Sequence, residues 1–79
     1  MGVQVELLLQ TNRCIYVVEV KRRHEIARKV IDEVDEKVSR IRRRRGVAIK
    51  TALIYDGHLS KSVEADGYFD AVIDIRDVI

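Results

Sequence analysis

Two apolar runs open the chain, Val3 to Gln10 (VQVELLLQ) and Cys14 to Lys21 (CIYVVEVK), with Thr11-Asn12-Arg13 between them. β-Branched, leucine and aromatic residues dominate both, so each reads as a strand and the residues between as a tight turn. Both runs are apolar on both faces, which predicts strands covered from two sides. The period then changes. From Glu25 to about Arg45, the residues Ile26, Ala27, Val30, Ile31, Val34, Val38 and Ile41 fall within an arc of about 140° at about 100° per residue, which predicts an amphipathic helix. Glu25, Arg28, Asp32, Asp35, Glu36 and Ser39 take the opposite face. Glu25–Lys29, Glu33–Lys37 and Glu36–Arg40 are i,i+4 pairs in the favourable Glu-first order. Gly46 stands where a left-handed cap belongs, after arginines that suit the negative end of the helix dipole. Val47 to Tyr55 predicts a third strand, Asp56-Gly57 a turn, residues 58–67 a loop or short helical turn, and Ala71 to Ile75 an edge strand. This is an α/β pattern with a mixed sheet. Its first two strands are antiparallel, and the second and third are parallel through a right-handed crossover.

Composition narrows the class. The chain has 79 residues, so 1–79 is read as a single domain. One Cys excludes an internal disulfide framework and, with only two His, a thiolate-rich zinc module. No apolar run approaches the ~20 residues of a membrane span, and the start MGVQVELLLQ lacks the features of a signal peptide. The expectation is a cytoplasmic protein with no membrane partner. A chain this short buries only about 60% of its unfolded surface, so a homodimer, or membership of something larger, is expected. Residues 1–50 hold 13 basic and 7 acidic side chains, residues 51–79 hold 2 and 6. The net +2 therefore hides a basic front half that could face phosphates, or be simply a solvated surface.

A two-residue loop at Asn12-Arg13 would make facing residues of the hairpin sum to 25. Glu6 then meets Glu19 and Gln4 meets Lys21, with Glu19 and Lys21 on one face as i and i+2. Like charges directly across a ladder are destabilising, and a divalent cation between the carboxylates would remove that cost. Mg²⁺ favours one or two carboxylates with water and phosphate oxygens, and Lys21 could orient the attacking water or stabilise charge on phosphorus. The plainer alternative is a solvated strand end with a cross-strand salt bridge.

The acid on one strand, followed on the next by Glu19-Val20-Lys21 ahead of a helix, resembles the catalytic core of the PD-(D/E)XK nuclease superfamily. More narrowly, Gln4 to Leu9, the short turn, Val18 to Lys21 and the segment Tyr68 to Ile73 resemble the nuclease-like region at the C-terminal end of certain archaeal and bacterial AAA-type ATPases. The resemblance spans nearly the whole chain. It implies a restriction-endonuclease-like ββαβ(β) core and hydrolysis of DNA or RNA phosphodiesters. It also implies Mg²⁺ or Mn²⁺ held by Glu6, Glu19 and the Val20 carbonyl, with Glu6, Glu19 and Lys21 as catalytic residues. The first acid here is Glu rather than Asp and no Pro precedes it. The family's first helix would lie upstream of Met1, so the core is expected to lack it. There is no GxxxxGK[ST] phosphate loop, and an ATPase encoded upstream is a candidate partner.

Lys21, Arg22, Arg23, His24 and Arg28 gather where the second strand passes into the helix and could hold nucleic-acid phosphates. Arg40 and Arg42 to Arg45, with Arg42 and Arg43 taken as nucleic-acid contacts, would lie near the hairpin tip. That is about 30 Å away along a helix of about 20 residues, where they could equally serve the helix dipole and solubility. His24 and His58 read as surface residues, and Cys14 as a small buried hydrophobe. Two further readings stay open: a non-catalytic dimerisation or nucleic-acid-docking module detached from an ATPase, and a small toxin-like or regulatory basic domain.

Overall fold

A computed structural model describes residues 3–78, with side chains from residue 6 onward. The hairpin forms as the alternation predicts: β1 (Val3–Gln10) pairs antiparallel with β2 (Cys14–Ile26). Thr11 closes the turn, its amide donating to the Cys14 carbonyl (2.8 Å) and its hydroxyl oxygen accepting from the Cys14 amide (3.0 Å). The register is the expected one, with Glu6 opposite Glu19 and Gln4 opposite Lys21. β3 (Ala48–Leu59) runs parallel to β2, and β4 (Ala71–Asp74) parallel to β3 at the edge, giving the order β1-β2-β3-β4. With α1 (Lys29–Ser39) and α2 (Lys61–Asp66), the protein is a small α/β domain built on a four-stranded mixed sheet. Among the described residues no helix is long and apolar enough to cross a membrane.

The ends of the helix and of the strands around it differ from the expected ones. The helix was expected from Glu25 to about Arg45, but it spans 11 residues, about 16 Å. At its front, β2 continues after a register shift between Arg22 and Glu25, and Glu25 and Ile26 pair with His58 and Leu59. Ile26 and Leu59 are both buried there, so pairing in the sheet removes the Ile26 side chain from water. At its far end the Arg40 and Ile41 amides turn back to the Lys37 and Val38 carbonyls. The four arginines that follow lie in a loop, which returns to the hairpin tip, where the Ala48 amide donates to the Arg13 carbonyl (2.9 Å). Gly46 has φ +85° in this loop, so it serves a turn and not the helix cap. Asp56-Gly57, expected as a turn, lies inside β3. Gly57, at φ +140°, faces the β2 irregularity so closely that a Cβ would sit 1.7 Å from the Arg23 carbonyl oxygen. The glycine marks a close backbone approach, which its composition signal could not distinguish from a turn.

Val17, Leu53 and Leu59 from the sheet meet Val30, Ile31 and Val34 of α1, Val63 of α2 and Phe69 in one core. Both helices thus lie on a single face. The apolar runs predict cover from two sides and the missing first helix predicts that one face lacks it; on the face opposite the helices Leu7, Leu9, Tyr16 and Ile73 are exposed among the described residues.

A carboxylate and lysine cluster under the helix

The side chains of Val17, Glu19 and Lys21 alternate onto the face that α1 covers. Glu19 is 0% and Lys21 1% exposed, which is unusual for charged residues without partners. The partners come from α1. Lys21 Nζ donates to Glu33 Oε2 (2.8 Å) and lies 3.8 Å from Glu19 Oε2. Lys37 Nζ bridges the two facing carboxylates, 2.9 Å from Glu6 Oε2 and 3.0 Å from Glu19 Oε1. The repulsion expected between Glu6 and Glu19 is therefore relieved by an ammonium. Glu19 Oε2 remains buried with no hydrogen-bond partner among the described residues.

The electrostatics follow from these contacts. The hydrogen bond from Lys21 outweighs burial and holds the Glu33 carboxyl below its ordinary value of 4.5. Burial alone would lower the Lys37 ammonium, but its hydrogen bonds to Glu6 and Glu19 prevail and hold it above the ordinary 10.5.

The structure brings Glu6, Glu19 and Lys21 together as expected, and Val20 lies between the last two with its side chain on the other face. The basic residues do not gather in the same way. Arg22 is exposed on the opposite face beside Asp56 (3.3 Å), and Arg28 pairs with Asp66 in α2 (2.6 Å). Arg23 is exposed at the register shift. Arg42 and Arg43 are exposed in the loop near the hairpin tip.

The i,i+4 spacing pairs Glu33 with Lys37 within the helix, but each instead reaches the sheet. A signal was present. At about 100° per residue, Lys37 falls inside the apolar arc, between Ile26 and Val30, and Glu33 falls about 20° beyond its edge. A lysine on the buried stripe of a helix demands a buried acid.

The donor set suits a hard cation: two carboxylates meet at a point that already holds a positive charge, and one of them keeps a buried oxygen without a hydrogen bond. No third carboxylate, imidazole or thiolate joins them to form a larger metal-ligating group among the described residues. On the other flank of α1, toward β3, a groove of 580 Å³ is lined by Asp35, Ile41, Arg43, Thr51, Tyr68 and Asp70. There the Tyr68 hydroxyl donates to Asp35 Oδ1 (3.2 Å), and burial together with the Asp35 charge pushes the phenol up to about 12. A raised folded-state value means that the stability contributed by neutral Tyr68 is complete below its ordinary 10.0 and fades as pH climbs to about 12. Thermal unfolding across that alkaline window is expected to show a steeper loss for the parent than for Tyr68→Phe. Parallel curves would refute it.

No known protein family, curated protein or solved structure matches the chain.

Proposed function

We infer that this protein is a metal-dependent hydrolase of nucleic-acid phosphodiesters, built on a restriction-endonuclease-like core of the PD-(D/E)XK kind. One observation carries the reading: Glu6 and Glu19 face each other across β1 and β2 at a cation-holding point, with Lys21 buried on the same face. A Mg²⁺ or Mn²⁺ ion bound there would supply a Lewis acid for the phosphoryl oxygen and an activated water. Glu6 and Glu19 would hold it through their carboxylates, and Val20 through its carbonyl. Lys21 is buried and held by Glu33, so its ammonium would add positive charge beside Glu19 from beneath the site rather than touch the phosphate itself. Arg23, Arg42 and Arg43 would hold the substrate backbone, the last two from the hairpin end of the molecule, whereas Arg22 on the opposite face and Arg28 in its pair with Asp66 would not. The test is nicking of supercoiled plasmid and cleavage of end-labelled RNA in Mg²⁺ and Mn²⁺. Cutting that stops on chelation is expected.

Lys37 balances Glu6 and Glu19 without a metal, and the sheet face carrying Leu7, Leu9 and Tyr16 is exposed. These two observations favour a second reading, a non-catalytic module that pairs with a second copy or docks on nucleic acid. Salt-sensitive DNA binding without cleavage in either metal would select it over the hydrolase. Sedimentation of the parent and Tyr16→Glu would then show whether the apolar face joins two copies.

A further inference from the structure

We propose that Lys37 is the resident occupant of the cation position and that divalent metal is taken up only by exchange, the ammonium leaving as the ion arrives. The proposal deepens the hydrolase reading and rests on the same carboxylate pair. Its argument is geometric. Lys37 Nζ uses Glu6 Oε2 at 2.9 Å and Glu19 Oε1 at 3.0 Å, one oxygen from each strand. An octahedral Mg²⁺ binds oxygen at about 2.0–2.1 Å, so it would draw those oxygens inward and leave no room for the ammonium. Both would be cations at contact in a partly dry site, where repulsion is large.

The two lysines of the cluster differ in freedom. Lys21 is enclosed, with its side chain 0% exposed, and is held by Glu33. The Lys37 side chain is 24% exposed and projects from the last turn of a helix that ends at Ser39, so it has an open path to water. Exchange therefore moves Lys37 and leaves Lys21 in place. It also explains how two facing glutamates are tolerated in an apolar hairpin when no metal is present: the helix brings its own counter-ion.

The test uses the full chain with no nucleic acid present. Calorimetric titration with MnCl₂ is expected to show at least about tenfold tighter binding by Lys37→Met than by the parent, because a competing charge at contact has been removed. Lys37→Arg keeps the charge and is expected to bind no tighter than the parent. Lys37→Met leaves two carboxylates unbalanced, so its melting is followed alongside. A lower midpoint than the parent without metal, and a larger rise with Mn²⁺, are expected. On the parent itself, excess Mg²⁺ is expected to increase acylation of Lys37 by an amine-reactive reagent in peptide mass mapping, while the exposed Lys61 is unaffected. Equal Mn²⁺ affinities in parent and Lys37→Met, or Lys37 labelling indifferent to Mg²⁺, would overturn the exchange. Tighter binding by Lys37→Met in a protein that cuts no nucleic acid would keep the exchange and end the hydrolase reading. Metal-dependent cutting with equal affinities would do the reverse, and failure of both proteins to take up Mn²⁺ would remove the exchange outright.

Discussion

Lys21→Met is expected to lower the unfolding free energy by about 3–5 kcal/mol, the usual cost of removing one partner from a buried ion pair. The Lys21 ammonium lies 3.8 Å from the orphaned Glu19 Oε2 and is a hydrogen-bond donor to Glu33. Without it, Glu19 keeps Lys37 on its other oxygen as its ion-pair partner among the described residues. The methionine fills the same space, so the loss reads charge rather than packing. Equilibrium unfolding in urea measures it, and the double variant Glu19→Gln/Lys21→Met supplies the control. Removing both charges is expected to recover much of the loss, since an apolar or neutral pair is often as stable as the ion pair it replaces. A single-variant loss below about 1 kcal/mol would mean that Glu19 is not desolvated, and the buried cluster would fall with it.

Glu19→Gln is expected to reduce metal-dependent cleavage by about a thousandfold, the scale of several kcal/mol of transition-state stabilisation lost with the metal's grip. The fold is expected to survive. Glutamine is isosteric, its carbonyl oxygen can still accept from Lys37, and Lys21 keeps Glu33. Nucleic-acid affinity measured in a fixed salt concentration is expected to hold, because the arginines proposed to hold phosphates are untouched. Undiminished nicking by a folded Glu19→Gln protein would take this carboxylate out of the chemistry. Loss of binding together with cleavage would point to docking as its role.

Much of the hairpin was legible because its information is local. A tight turn and a side-chain period of two leave one register that keeps Val17 inward, and that register carries Glu6 to Glu19. The third strand and the apolar stripe Val30, Ile31 and Val34 were legible for the same reason. The helix ends were not. Ile26 satisfies the helical period, but it also satisfies a strand, and the choice rests on burial against Leu59, 33 positions along the chain. Gly57 is ambiguous in the same way: a glycine before a polar stretch looks like a turn until the Arg23 carbonyl is seen pressing on it.

The amino-acid order alone determined which strands exist, how the first two pair and which carboxylates face each other, since these depend on turn length and alternation. The assembled tertiary structure decided where the charges go. In an isolated helix Glu33 and Lys37 would favour each other by a few tenths of a kcal/mol. Once α1 lies on the sheet, Glu19 and Lys21 are cut off from water, and an unpaired charge there costs several times more than the intrahelical pair gains. Each helix residue therefore abandons its neighbour for the buried group of opposite sign, and the counter-ion between Glu6 and Glu19 becomes Lys37.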